Sequence, residues 1–191
     1  SELSTFTDSS SIASWAKSEL AAMVKAGYVK GDALSKLNPK SNMTRKEFAV
    51  LMNRVVNEYI SAAGTVTSVK GKNVMINAPG VTLKDLTVSG DLILGDGIGD
   101  GDITLYNVKV SGRIVIRGGG ENSIHILGNS DISSVVITRV DGKVHVDVGS
   151  NANVQVIYVE DGKDEVILSG NLDSVKVGTD VPVKLTGETK I

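Results

Sequence analysis

The segment Met43-Thr-Arg-Lys-Glu-Phe48 combines residue types that can start a helix with residue types that can bind an anion. Thr44 and Glu47 have the spacing of a capping box. In that motif the threonine hydroxyl accepts a hydrogen bond from the glutamate amide, and the glutamate carboxylate accepts one from the threonine amide. The segment therefore predicts a helix that begins at about Thr44.

Arg45 and Lys46 place two positive charges in the first turn of this helix. A cation at that position opposes the helix dipole and gains nothing from it. The position becomes favourable when an anion binds at the helix N-terminus, where free amides and a bidentate guanidinium can hold it together. We therefore expect an anion-binding site around Arg45, to which Lys46 adds positive charge.

A second candidate for chemistry is the glycine-rich stretch Gly95–Asp102, which carries Asp96, Asp100 and Asp102. Oxygen-rich loops of this kind can hold Ca²⁺. The alternative is a tight turn, which we favour because the stretch occurs once and lacks the flanking repeat of calcium-binding nonapeptides. The chain contains no cysteine, so a thiolate metal site is excluded. We predict no metal site and no cofactor.

The overall composition excludes two classes of protein. The chain has 20 basic and 22 acidic residues, and this balance argues against a nucleic-acid-binding protein, which relies on a basic surface. No apolar run approaches the ~18 residues that a membrane-spanning helix requires. We therefore expect neither a nucleic-acid partner nor a membrane span.

The elements that must position these residues differ between two parts of the chain. Residues 1–62 hold five of the seven aromatic residues but two of the 21 glycines. Residues 63–191 hold the other 19 glycines and are rich in valine and isoleucine. This shift of composition predicts two domains, 1–62 and 63–191.

Residues 1–62 are predicted to be helical. Apolar residues recur at helical spacing from Ile12 to Val24, and Gly27 lies where a left-handed residue would end that helix. The same spacing recurs from Thr44 to Ala62. We therefore predict a small all-α domain with two main helices.

Residues 63–191 show short alternating segments and an internal repeat. The stretch Leu86–Gly95 aligns with Val108–Arg117 at an offset of 22 residues, and weaker copies follow. Such a repeat indicates a β-solenoid, most simply a right-handed parallel β-helix, in which each coil buries its inward side chains by stacking on its neighbours. A sandwich of hairpins is the alternative, but it predicts no fixed offset.

The helical part resembles an S-layer-homology (SLH) module over roughly residues 4–60. The resemblance rests on motifs in the expected order: Phe6-x-Asp8, Trp15-Ala16, Ala26-Gly-Tyr-Val-x-Gly31, Asn38-Pro39 and Thr44-Arg-Lys-Glu-Phe-Ala49. The β part contains Ile103-Thr-Leu-Tyr-Asn-Val-Lys-Val-Ser-Gly112 followed by Gly118-Gly-Gly-Glu-Asn-Ser-Ile124, and it resembles the β-helical repeats that accompany SLH modules in bacterial surface proteins. This resemblance implies an extracellular location, at the cell surface, in the cell wall or in an S-layer.

The resemblance also implies a ligand and its contacts. SLH modules are expected to bind secondary cell-wall polymers, which often carry pyruvate ketals, and a pyruvate carboxylate suits the site around Arg45. It implies that the Trp15 indole forms an apolar wall beside the sugar; the alternative is a core residue between the helices. Thr44, Lys46 and Glu47 complete the expected glycan site. Because such modules commonly occur in threes, further modules or a second copy of the chain are expected partners.

The predicted function is therefore non-covalent anchoring to wall polysaccharide, with the solenoid as a displayed structural or adhesion element. The alternative is an anchored carbohydrate-active β-helix enzyme, a lyase or a glycosidase. Inverting hydrolysis requires two carboxylates about 6.5–9.5 Å apart, whereas the acids here are scattered among turns. His125 and His145 lie in alternating strands, where we expect them to point outward. We therefore predict that the protein is not an enzyme.

Overall fold

The computed structural model describes residues 2–190 and divides the chain into two compact units. The first unit, here called the helical module, ends at Val55, and the second, here called the solenoid, begins at Val56. The predicted fold class, a few helices followed by a parallel β-solenoid, is confirmed. The division lies ahead of position 62, where the composition changes.

The helical module consists of short helices. Three 3₁₀ turns and two α-helices follow one another as Glu2–Thr5, Ser9–Ser11, Ser14–Ala16, α1 (Lys17–Lys25) and α2 (Arg45–Val55). Neither α-helix contains a buried residue. Buried apolar side chains in the described part of the module are those of Leu3 and Ile12, and Ile12 lies in a turn ahead of α1 rather than inside the helix.

The end of α1 is set by Gly27, as predicted. Gly27 has φ +77°, a left-handed conformation that costs glycine little. Its amide donates to the Val24 carbonyl at 2.9 Å, and the Tyr28 amide donates to the Met23 carbonyl at 3.0 Å. These two hydrogen bonds form a Schellman motif, which satisfies carbonyls that the helix end would otherwise leave free.

The prediction that the second helix extends to Ala62 is wrong. Helix α2 ends at Val55, and the next residues form strand β1 (Glu58–Ile60), which pairs in parallel with β3 (Val74–Ile76). A short apolar run fits a helix and a strand equally well by periodicity. Pairing with β3 decides the outcome, because it satisfies the backbone of β1 and packs Ile60 against the solenoid core.

Fourteen described strands form the solenoid sheet, and all their pairings are parallel. After β1 and β3 the remaining strands are β2 (Gly64–Val66), β4 (Val81–Val88), β5 (Leu92–Leu94), β6 (Ile103–Ile116), β7 (His125–Leu127), β8 (Asp131–Ile137), β9 (Val144–Val148), β10 (Asn153–Val154), β11 (Ile157–Val159), β12 (Val166–Asn171), β13 (Val175–Val177) and β14 (Val183–Lys190). Parallel pairing requires crossover connections rather than hairpins, so the sandwich alternative is wrong.

The repeat in the sequence sets the register between coils. Leu86 pairs with Val108, and Leu92 pairs with Ile114, so the strands follow the 22-residue offset of the repeat. Inward side chains alternate with outward ones along each strand. On β9, for example, Val144 is buried while His145 is partly exposed. The prediction that His125 and His145 point outward is confirmed.

The core of the solenoid is a continuous stack of aliphatic side chains. Leucine, isoleucine and valine from successive coils lie above one another, and many of them have no exposed surface. Glycine is required where the coils come close together. A Cβ at Gly118 would lie 2.3 Å from the Gly95 carbonyl oxygen, and one at Gly120 would lie 2.3 Å from the Asp100 carbonyl oxygen. The Gly118–Gly120 run therefore allows close stacking of neighbouring coils.

A search of the described residues for membrane-spanning helices found none that is both long and apolar enough.

Candidate functional site

The N-terminus of α2 has the predicted capping box. The Thr44 amide donates to Glu47 Oε2 at 2.8 Å, and the Glu47 amide donates to Thr44 Oγ1 at 3.2 Å. The Thr44 hydroxyl also donates to Glu47 Oε2 at 2.8 Å. The Thr44 amide, followed by its hydroxyl, lowers the pKa of Glu47 below the ordinary value. Thr44 and Glu47 therefore cap the first turn of α2, and the lowered pKa favours the charged form of the Glu47 carboxyl group.

Arg45 and Lys46 project from this helix start into solvent. Both residues are exposed. Within residues 2–190, neither has an ion pair or a side-chain hydrogen bond. Their charges oppose the helix dipole with no compensating partner among the described residues. This arrangement leaves both cations available for an external anion.

A loop beside α2, residues 31–42, is held in place by Asp8. The Asp8 carboxylate accepts hydrogen bonds from the Leu37 amide at 3.0 Å and the Asn38 amide at 2.8 Å. The Leu37 amide is the main cause that lowers the pKa of Asp8. Phe6 packs on the start of the loop, where a Cβ at Gly31 would lie 2.7 Å from Phe6 Cε1. The motif residues near the N-terminus thus position the loop.

Asp32 organises the same loop from within. Its Oδ1 accepts from the amides of Leu34 at 2.8 Å and Lys36 at 3.0 Å, and its Oδ2 accepts from Asn38 Nδ2 at 2.9 Å. The Lys36 amide, followed by the Asn38 side chain, lowers the pKa of Asp32. Sequence analysis missed this residue. The sequence did contain a signal for its role, because a loop aspartate can accept a hydrogen bond from the backbone amide two residues later and so form an Asx turn.

A cavity of about 470 Å³ lies between this loop and α2. Three of the predicted site residues line it, namely Thr44, Lys46 and Glu47. Other cations at the cavity are Lys30, Lys36 and Arg54. The carboxylates at the cavity, Asp32 and Glu47, are already engaged by hydrogen bonds from the chain. Four cationic residues, Lys30, Lys36, Lys46 and Arg54, outnumber these two carboxylates, so the cavity has a net positive character that suits an anionic ligand.

The other two predicted site residues, Arg45 and Trp15, do not line this cavity. Trp15 lies on the 3₁₀ turn Ser14–Ala16, and it is 83% exposed. This exposure contradicts the alternative in which Trp15 is a core residue between the helices. It leaves the indole available for contact with a ligand or with another protein surface.

The aspartates of the stretch 95–102 contact guanidinium groups of later coils. Asp96 Oδ2 lies 3.3 Å from Arg117 Nη2, and Asp100 Oδ1 lies 2.6 Å from Arg139 Nη2. Arg139 also donates to the Gly99 carbonyl oxygen at 3.2 Å. In the described part of the chain, no three His, Asp or Glu side chains are grouped as a metal site. The contacts of this stretch tie coils of the solenoid together.

Comparison with known proteins gives two matches. Residues 5–49 match the family model of the S-layer homology domain. The chain is also 36% identical over 72 residues to the "Surface-layer 125 kDa protein" of Lysinibacillus sphaericus. That alignment covers 36% of this chain and 6% of the relative, so the chain spans a small part of that protein's length. No solved structure matches the chain.

The family-model match lies within the helical module. The matched range, residues 5–49, contains Asp8, the loop 31–42 and the capping box. The two matches indicate a cell-surface or S-layer location, and they suggest a structural surface protein. The chain therefore carries an S-layer homology domain at residues 5–49, ahead of a parallel β-solenoid.

Proposed function

We propose that the N-terminal part of the chain, residues 1–62, attaches the protein non-covalently to a secondary cell-wall polysaccharide. The observation that carries the proposal is the pair of exposed cations, Arg45 and Lys46, at the start of α2 in an S-layer homology domain. Acidic groups of the polymer, such as the carboxylate of a pyruvate ketal, bind these cations. The exposed Trp15 provides an apolar surface for a sugar ring.

The structural basis of the proposed recognition is an exposed cation carried by a capped helix start. The capping box holds the first turn of α2 in place. The backbone of Arg45 is therefore held, and this sets the direction in which its side chain leaves the helix. An arginine can bind a carboxylate with two parallel hydrogen bonds, which gives both affinity and orientation. Lys46 extends the positive surface from Arg45 to the cavity beside α2.

Further modules or a second copy of the chain are part of the proposal. The described α-helices bury none of their own residues, and Trp15, Phe48 and Met52 are exposed. Apolar side chains that remain on a surface provide contacts for another folded module. Such a partner could complete the surface on which the polymer lies.

The solenoid is proposed as the displayed structural or adhesion element. Several of its outward charged groups contact groups of neighbouring coils, and these contacts stabilise the stack itself. These pairs include Asp91 with Arg113, Asp131 with Lys109 and Asn153, Glu121 with Lys143, and Asp141 with Lys163. A self-contained ladder of this kind suits a rigid spacer, since stacked coils contact only their neighbours.

Binding to purified cell walls tests the anchoring proposal. The full chain is mixed with walls that retain or lack their secondary polymer, and the bound fraction is measured after sedimentation. Arg45→Ala is expected to keep α2, because alanine is a strong helix former. It should weaken binding by about 1.5–3 kcal/mol, the value of a hydrogen bond to a charged group.

Lys25→Ala is the matched control, because it removes one exposed positive charge at the far end of α1. It should bind like the unmodified chain. Equal binding of Arg45→Ala and Lys25→Ala would refute the role of Arg45. Equal binding to walls with and without polymer would refute the proposed ligand.

A further inference from the structure

One outward face of the solenoid carries an unbroken row of apolar side chains. The row crosses six strands, and each member is the pairing partner of the next. Its members, here called the apolar row, are Tyr59, Met75, Ile93, Val115, Val136 and Tyr158. Along each strand they alternate with residues that point into the core. On β5, for example, Leu92 and Leu94 on either side of Ile93 have no exposed surface.

Members of the apolar row are accessible to different degrees. Tyr59 is 55% exposed, and Val136, which lies between its row neighbours, is 7% exposed. The other four members are partly exposed. Neighbouring strands lie about 4.8 Å apart, so the row is about 24 Å long. A continuous apolar surface of this kind, with a polar border, is typical of an interaction site.

Stacking of the coils does not account for the apolar row, because two other outward rows of the same solenoid are polar. One of them consists of Thr65, Thr82, Thr104, His125, Asp147, Ser169 and Thr186. The other consists of Thr87, Lys109, Asp131 and Asn153. The stack therefore accepts polar side chains at outward positions, and the apolar row calls for another explanation.

Charged side chains border the middle of the apolar row. Arg113 and Arg117 lie two positions before and after Val115, and Asp91 and Asp96 flank β5 in the same way. Within the chain, Asp91 Oδ2 lies 3.4 Å from Arg113 Nε, and Asp96 Oδ2 lies 3.3 Å from Arg117 Nη2. All four side chains keep between 35% and 70% of their surface exposed, so they can contact a second molecule.

We propose that the apolar row is the contact surface of a homodimer, in which two copies of the solenoid pack face to face with their rows antiparallel. The two-fold axis lies in the interface, along the direction of the strands, between β5 and β6. The facing pairs are then Ile93 with the partner's Val115, Met75 with the partner's Val136, and Tyr59 with the partner's Tyr158. Aliphatic side chains meet aliphatic ones, and the tyrosines at the two ends meet each other.

The charged border selects a second copy as the occupant and the antiparallel arrangement as its orientation. With the axis between β5 and β6, Asp91 faces the partner's Arg113, and Asp96 faces the partner's Arg117. In a parallel arrangement each arginine would face the same arginine of the partner, and like charges that face each other suppress binding. The face is therefore complementary to itself, which is what a two-fold interface requires.

The size of the face predicts a weak dimer. Positions 113 to 117 span about 13 Å along the strand, so the face measures about 24 Å by 13 Å between Cα atoms. This is at the low end of specific interfaces, which bury less than about 1,200 Å² in total. We expect a dissociation constant between about 10 µM and 1 mM. The dimer does not depend on the proposed anchoring, because every residue of the interface belongs to the solenoid.

Sedimentation equilibrium of the full chain at increasing concentration tests the dimer. Val115→Lys places a charge in the middle of the apolar row and should raise the dissociation constant at least about tenfold. Thr82→Lys is the matched control, because Thr82 is an outward residue of β4 between Thr65 and Thr104, in a polar row. It should dimerise like the unmodified chain.

Charge reversal tests the border of the interface. Asp91→Arg alone and Arg113→Asp alone should each dimerise poorly, because four like charges would then meet around the axis. An equimolar mixture of the two variants should associate again, because the charges are opposite between the two chains. A mixture that associates no better than either variant would contradict the proposed charge contacts.

Oxidative cross-linking of tyrosines in the unmodified chain tests the orientation and does not require any variant to fold. We expect a bond between Tyr59 and Tyr158. Within one chain these residues lie about 24 Å apart, so the bond must join two copies. Tyr59 joined to the partner's Tyr59, or the absence of cross-links at both residues, would refute the antiparallel dimer.

Two results of the sedimentation experiment would overturn the proposal. One is a chain that stays monomeric at about 1 mM, the upper limit of the expected range, which would leave the apolar row to a different partner. The other is equal association of Val115→Lys and Thr82→Lys, which would place the contact between copies elsewhere on the molecule.

Discussion

The buried hydroxyl of Ser130 provides a sharp test of how the coils are held together. Ser130 is 1% exposed, and its Oγ accepts a hydrogen bond from the Val108 amide at 3.0 Å and donates to the Leu127 carbonyl oxygen at 2.7 Å. Ser130→Ala removes the hydroxyl acceptor. The Val108 amide of β6, which lies inside the solenoid, then loses this hydrogen bond. A buried unsatisfied donor costs about 1–3 kcal/mol.

For a chain of this size, that loss corresponds to a fall of about 2–12 °C in the thermal midpoint. Circular dichroism of the β signal during heating measures it. Ser133→Ala is the matched control, because Ser133 is an exposed serine three residues later, in strand β8, and its loss should change stability by less than ~0.5 kcal/mol. If both variants melt together, the Ser130 hydroxyl does not support the Val108 amide, and the reasoning fails.

Two further predictions concern the glycines and the helix cap. Gly118→Ala should clearly lower the thermal midpoint, because its Cβ would lie 2.3 Å from a carbonyl oxygen of the previous coil. Gly178→Ala is the control and should leave the midpoint unchanged, because the atom nearest to its Cβ would be 3.7 Å away. Equal midpoints of the two variants would contradict this reasoning. The lowered pKa of Glu47 means that the cap stabilises α2 above the ordinary glutamate range and loses this effect as the pH falls through the folded-state pKa. NMR titration of the Glu47 carboxyl group should show the lowered pKa, and Thr44→Ala should bring that pKa only part of the way back, because the hydroxyl is lost while the backbone amide at position 44 remains.

Local features of the fold were predictable because their physical causes lie within a few residues. The capping box of Thr44 and Glu47 forms as expected, since both partners belong to one helical turn. Gly27 ends α1 for the same kind of reason, because its left-handed backbone is a local property. The pairing of Leu86 with Val108 was predictable from the repeat, because coils of similar sequence stack in register.

The misplaced end of α2 shows where local reasoning stops. Tyr59 and Ile60 continue an apolar pattern that a helix could use. They form a strand because β3, which is distant in sequence, offers hydrogen bonds and an aliphatic core. The competing states are similar in local energy, so a tertiary contact determines which one forms.

The candidate site also has one part that local sequence predicts and another part that depends on tertiary contacts. The sequence by itself determined the helix start that carries Arg45 and Lys46, because the cap and the cations are neighbours in the chain. Only the tertiary structure decided that Asp8 supports the loop beside α2, and that Ser169 meets His145 from 24 residues away. These contacts depend on how loops close and coils stack, and a short stretch of sequence does not contain that information because the partners meet only after the chain has folded.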